Sequence, residues 1–167
     1  MTRTLLIAAA ALSLAGCALQ PLYRSGSSGA VATTLRAVQV APIDGQAGWL
    51  VHNKLVERLG NASDVATARY RLEVELDDDI TSFGIRGDRA ATRERRSLRA
   101  RYRLVEVSRG TVVLDATAGS DAGIDVVSSE YATVAAEQTA LERLAEVVAD
   151  QIAARLGLFA ARTAASR

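Results

Sequence analysis

The sequence predicts an α+β fold: two helices packed on one face of a four-stranded, mostly antiparallel sheet, in the order β-α-β-β-β-α. Three observations lead there. Three segments alternate apolar and polar residues with the period of two that a half-buried strand requires. Two segments repeat apolar residues at helical spacing. No internal repeat or shift in composition divides the region between them, so the chain reads as one domain.

Leu35 to Ala41 reads as the first strand, stopped by Pro42. Asp44 is placed to cap a helix through about Leu59, with Gly60-Asn61 ending it. Trp49, Asn53, Val56 and Leu59/Gly60 fall near one face of that helix. The second strand has the cleanest pattern: Tyr70, Leu72, Val74 and Leu76 face one way, Arg71, Glu73, Glu75 and Asp77 the other. Ser97 to Leu104 repeats it, with Leu98, Ala100, Tyr102 and Leu104 against Arg99, Arg101 and Arg103. Thr111 to Ala118 is the fourth strand, with Val112, Leu114 and Ala116 on one side, and Ser108-Arg109-Gly110 is the turn before it. Ser128 or Ser129 then caps a long helix whose stripe is Tyr131, Val134, Leu141, Ala145, Val148 and Ile152. Gly157 sits where a helix commonly ends.

The N-terminus has its own logic. Met1-Thr2-Arg3 is positive, Leu5 to Leu14 is almost wholly apolar, and small residues precede Cys17. That is the layout of a secretory signal peptide. An apolar run of about ten residues spans ~15 Å as helix, half of a ~30 Å bilayer core, which argues against a spanning helix. Leu14-Ala15-Gly16-Cys17 resembles a bacterial lipobox, which makes Cys17 the lipid-attachment residue. Each buried CH₂ contributes about 0.8 kcal/mol, so several acyl chains on one residue make a lasting anchor. Residue 18 is Ala rather than Asp, which favours the outer over the inner membrane. Ser25-Gly26-Ser27-Ser28-Gly29 is flexible-tether composition. The expected division is residues 1–16 as lipoprotein signal peptide, 17–34 as lipidated N-terminus and tether, 35–159 as a single α+β domain, and 160–167 as a loose tail.

Composition narrows the function. The chain has 20 basic and 19 acidic side chains, and loss of Arg3 with the leader evens them. Such balance gives no global pull toward nucleic acid. Cys17 is the only cysteine and His52 the only histidine, so a disulfide and the usual nucleophile–base pairs are absent from the sequence. Asp77-Asp78-Asp79 lacks the spacing of a calcium loop and reads as a solvated strand end, and Arg86-Gly87-Asp88 reads as a turn. No catalytic residue, metal site or cofactor is expected.

One constellation remains. Residues 86–103 hold eight arginines against Asp88 and Glu94. Arg99, Arg101 and Arg103 share a polar strand face and find counterparts in Glu73, Glu75 and Asp77 of the neighbouring strand, at roughly 0.2–1 kcal/mol per cross-strand pair. Arg86, Arg89, Arg93, Arg95 and Arg96 lack an evident counterpart in the sequence. Arg89, Arg93, Arg95 and Arg96 are therefore the candidate binding residues for phosphates or carboxylates of an anionic lipid.

The lipobox, Pro21-Leu22-Tyr23, the Tyr70-x-Leu72-x-Val74 strand and Tyr131-Ala132 at the start of the last helix together resemble the lipopolysaccharide-assembly lipoprotein family, LptE. The resemblance runs from the lipobox to about Phe159. It departs at Ala18-Leu19-Gln20, where alphaproteobacterial members often carry Gly-Phe after the cysteine. It implies a non-enzymatic outer-membrane lipoprotein, lipid-anchored and facing the periplasm. Such a protein acts as plug and assembly partner of an LptD-type outer-membrane β-barrel and assists lipopolysaccharide delivery to the outer leaflet. Lipopolysaccharide is then the anionic ligand expected for the arginines. The alternative is an auxiliary lipoprotein of an ABC-type phospholipid or solute transporter, which also pairs a lipobox with a small α/β domain.

Overall fold

The computed structural model describes residues 29–60, 68–85 and 91–165. Along the chain these form α1 (Ala30–Arg36), β1 (Val38–Val40), α2 (Gly45–Leu59), β2 (Tyr70–Ile85), β3 (Ala91–Glu106), β4 (Thr111–Asp125) and α3 (Glu130–Ala165). The strands make one sheet in the order β1-β2-β3-β4. β1 runs parallel to β2, with Val38 opposite Tyr70, and the other two pairings are antiparallel. The sequence expectation of a mostly antiparallel sheet with helices on one face holds.

The core lies between that face and the helices. Leu72, Leu98 and Leu104 from the strands meet Val51 and Leu55 from α2 and Leu141, Val148 and Ile152 from α3, all at most 1 % exposed. The ends of the sheet differ. At the base, Tyr70 packs edge-on against Phe159 of α3, with ring centroids 5.8 Å apart. At the tip, the β2–β3 hairpin narrows to the Ile85–Ala91 pair. α3, about 54 Å long at ~1.5 Å per residue, runs from the tip to the base. α2 is much shorter; it starts beyond β1 and ends at Gly60, beside Arg36 of α1.

This unequal coverage explains where the structure departs from the sequence reading. The first strand is only Val38–Val40, because Ala30–Arg36 forms a helix that inserts Leu35 into the core. Residues 30–34, assigned to the tether, are thus helical. The long strands continue past the expected ends at Asp77 and Ala118 and begin before Ser97, because cross-strand pairing persists from Tyr70–Glu106 to Ile85–Ala91. Beyond Leu76 the helix-side positions of β2 become Asp78 and Ile80, so the apolar alternation fades while the ladder continues.

Both helix stripes also need correction. α2 buries Ala47, Gly48, Val51, Leu55 and Leu59, whereas Trp49 is 64 % exposed. Small residues allow the close approach: a Cβ on Gly48 would stand 2.5 Å from the Ile43 carbonyl oxygen. On α3, Leu141, Ala145, Val148 and Ile152 are buried as expected, but Tyr131 and Val134 are exposed. They precede Gln138, whose side chain meets Gln46 near the start of α2, so α2 does not extend alongside them. Nor does α3 stop at Gly157. Gly157 and Ala160 are buried within a helix that continues to Ala165, so the stretch 160–165 is helix rather than loose tail. In β4 a bulge opposite Leu104/Val105 inserts Val113, which puts Val112 out of phase and exposes it.

Candidate functional site

The arginines of β3 are sorted by the pleat. Leu98, Ala100, Tyr102 and Leu104 point to the helices, so Arg96 shares their side, and Arg93, Arg95, Arg99, Arg101 and Arg103 belong to the open face. Asp78 has the same parity on β2 as Leu72 and Leu76. A cation and an anion at core-side positions must satisfy one another. Arg96 does so through two of its three nitrogens, Nε to Asp78 Oδ1 at 2.8 Å and Nη2 to Asp78 Oδ2 at 2.6 Å. Its Nη1 donates to the Glu137 carbonyl of α3 at 3.0 Å. With its side chain 12 % exposed, Arg96 ties the hairpin to the long helix. The hydrogen bond to Asp78 holds its guanidinium even more firmly protonated than usual.

The open face is a ladder of charges. Glu73, Glu75 and Asp77 lie opposite Arg103, Arg101 and Arg99 in register, the alignment expected from sequence. Only one rung is used that way: Arg103 reaches Glu75 at 3.3 Å and Glu73 at 3.6 Å. Arg101 turns to Asp115 of β4 at 3.1 Å, and Arg99 to Asp121 at 2.8 Å. The Arg101 hydrogen bond keeps Asp115 below the usual carboxylate range. Between these rungs lies a shallow trough of about 720 Å³, lined by Glu75, Asp77, Arg99, Arg101, Thr117 and Asp121.

Toward the tip the ladder thins. Arg93 pairs with Asp125 at 3.3 Å, with side chains 67 % and 81 % exposed. Arg95 lies over the Phe83 ring, 5.8 Å from its centroid, and among the described residues no carboxylate pairs with it. Both arginines remain at the surface of the strand, not in a loop. Arg89 and Cys17 lie outside the described residues. The structure therefore brings Arg93 and Arg95 together on one exposed face and sets Arg96 apart, on the opposite face and already engaged.

Two participants were not singled out from sequence. Asp78 was legible, since it continues the apolar parity of β2 and demands a cation there. Phe83 lies past the expected strand end, and only the continued register places it beneath Arg95. Of the Asp77-Asp78-Asp79 run, Asp78 holds Arg96 and Asp79 accepts from Thr81. Among the described residues no group of His, Cys, Asp or Glu is arranged to hold a metal ion, and no helix is long and apolar enough to cross a membrane.

The fold has counterparts among solved structures. A lipoprotein of Caulobacter crescentus, described as putative, is 25 % identical, with a TM-score of 0.65 over 81 % of this chain and 98 % of its own. A minor lipoprotein of Acinetobacter baumannii is 14 % identical, with a TM-score of 0.57 over 74 % and 92 % of the two chains. Rare lipoprotein B of Shewanella oneidensis is 10 % identical, with a TM-score of 0.50 over 77 % and 96 %. A search of curated protein sequences gives no match. The lipopolysaccharide-assembly family model matches residues 35–156, from the last turn of α1 to late in α3. The chain belongs to the LptE lipopolysaccharide-assembly family.

Proposed function

We propose that this chain is a non-enzymatic outer-membrane lipoprotein, anchored through acyl chains on Cys17 and facing the periplasm. In this reading it seats in an LptD-type β-barrel as plug and assembly partner and assists delivery of lipopolysaccharide to the outer leaflet. The observation that carries the proposal is the family match, which spans nearly all of the folded region. The open sheet face supports it. Barrel interiors are polar, and this face offers rows of paired charges that suit a polar wall rather than lipid.

Lipopolysaccharide contact falls to the exposed arginines Arg93 and Arg95, joined by Arg89 on the ground of sequence charge alone. Their guanidinium forks suit phosphate and carboxylate. Arg96 positions the hairpin that carries them. Replacing Arg93 and Arg95 together by Glu weakens lipopolysaccharide binding about tenfold or more, since one charge-assisted hydrogen bond is worth ~1.5–3 kcal/mol. The melting curve stays near that of the parent. Unchanged binding by the folded double variant would remove these arginines from the site.

The test of the main reading is purification of the tagged full chain from outer membranes. An equimolar complex with the lipopolysaccharide-translocating barrel is expected. Repeated recovery of the lipoprotein without that barrel contradicts the proposal.

A further inference from the structure

Every open sheet has two edges, and each presents a row of N–H and C=O groups that can pair with a strand of another molecule. On one side β1 is only three residues long and covers Tyr70–Leu72, which leaves the rest of β2 as edge, with charged Glu73, Glu75, Asp77, Asp78 and Asp79 along it. On the other side β4 is fifteen residues long, and among the described residues β3 is its only strand neighbour. Near its middle the outward backbone groups are occupied from an unusual source. The Gly119 N–H donates to Gln151 Oε1 at 3.0 Å, and Gln151 Nε2 donates to the Gly119 carbonyl at 3.2 Å. Gln151 belongs to α3, so a helix side chain reaches the sheet edge and makes both bonds that a facing residue of an antiparallel strand makes.

Gly119 is suited to this arrangement. A Cβ there would stand 2.6 Å from Arg99 Cδ, because the Arg99 side chain crosses it on the way to Asp121. Glycine lets the arginine cross and leaves the backbone open to the amide.

Charge does not guard this edge. Since Gly119 points its N–H and C=O outward, the other odd-numbered residues from Asp115 to Asp125 do the same. Two copies of β4 aligned antiparallel about Gly119 set Thr117 against Asp121 and Asp115 against Gly123. No carboxylate lies directly opposite another. The strand is thus long, self-compatible and closed at its centre by one side chain.

We propose that Gln151 is an edge guard, which keeps β4 from pairing with β4 of a second copy of this chain. The guarded surface is the outer edge of β4, and the excluded partner is the chain itself.

The test compares the full chain, purified in detergent, with its Gln151→Leu and Gln151→Ser variants. Neither replacement can supply both bonds. Circular dichroism establishes folding, and the serine variant serves should the leucine variant misfold. At low concentration, amide exchange at Gly119 should quicken about tenfold in the variants, one net hydrogen bond being worth ~1 kcal/mol or somewhat more. At higher concentration, sedimentation velocity should show a dimer where the parent is a monomer. Adding Thr117→Pro removes an outward N–H and should return the variant to a monomer. Folded variants that stay monomeric overturn the proposal. So does a dimer indifferent to Thr117→Pro, or a parent chain that already dimerises through β4.

Discussion

Individual residues divide the charges of this protein into structural and available ones. Arg96 and Asp78 pair on the core side of the sheet, with side chains 12 % and 23 % exposed, and breaking this partly buried pair leaves one charge without its partner. Arg96→Ala should therefore cost about 1–3 kcal/mol, read as a fall in denaturation midpoint. Arg101→Ala removes a pair whose two side chains are 63 % and 42 % exposed, so its effect should be within ~1 kcal/mol. Similar losses in both would show that the division is wrong. Gly48→Ala is a third case: the new methyl meets the Ile43 carbonyl oxygen at 2.5 Å, which backbone cannot yield cheaply. It should lower stability by about 1–3 kcal/mol, despite the better helix propensity of alanine. Tyr102 gives a pH dependence. Burial pushes its hydroxyl up from the ordinary tyrosine value. A group raised on folding contributes fully below its unfolded value, near pH ~10, and loses that contribution as pH rises through the folded value. Alkaline destabilisation should therefore set in above about pH 10. Tyr102→Phe should lessen it in a pH series of thermal melts.

At the level of elements, α3 is the beam on which the rest is assembled. It takes Arg58 of α2 through Glu146 and Asp150, Arg96 of β3 through its Glu137 carbonyl, Gly119 of β4 through Gln151, and Tyr70 of β2 through Phe159. Its last turns belong to the fold. Truncation after Gly157 removes the Phe159 ring and fully buried Ala160. It should cost about 3 kcal/mol or more, seen as a fall in Tm. A truncated chain that melts like the parent would restore the reading of residues 160–165 as a tail. The four strands and the two long helices were legible in the sequence, since Tyr70 to Leu76 and Leu98 to Leu104 alternate cleanly and pair in the register their charges suggest, whereas the short α1 was not. Their true lengths were not. Alternation reports apolar cover, and the cover of β2 fades after Leu76 while its hydrogen bonds continue. The Trp49 and Tyr131 assignments failed for a related reason: size and aromaticity mark burial only where an opposing element exists, and small Ala47 and Gly48 are what α2 presents to the core.

The whole molecule has two unlike faces and two unlike ends. The helix-covered face holds the core, and the open face carries the charge ladder. The base holds Tyr70 and the end of α3, and the distal hairpin carries Arg93 and Arg95. Half of the candidate site was legible from charge alone. Counting showed an excess of arginine over residues 86–103, but not which arginines already had partners, since that depends on parity across three strands. Family membership places the chain in lipopolysaccharide assembly. Its proposed partner there is the translocating barrel, met through the polar face. A photo-crosslinking residue in place of exposed, open-face Asp77 of the full chain tests this directly in intact cells. Mass spectrometry of the adduct should identify the LptD-type barrel as the main partner. An inner-membrane transporter as the principal adduct would contradict the account.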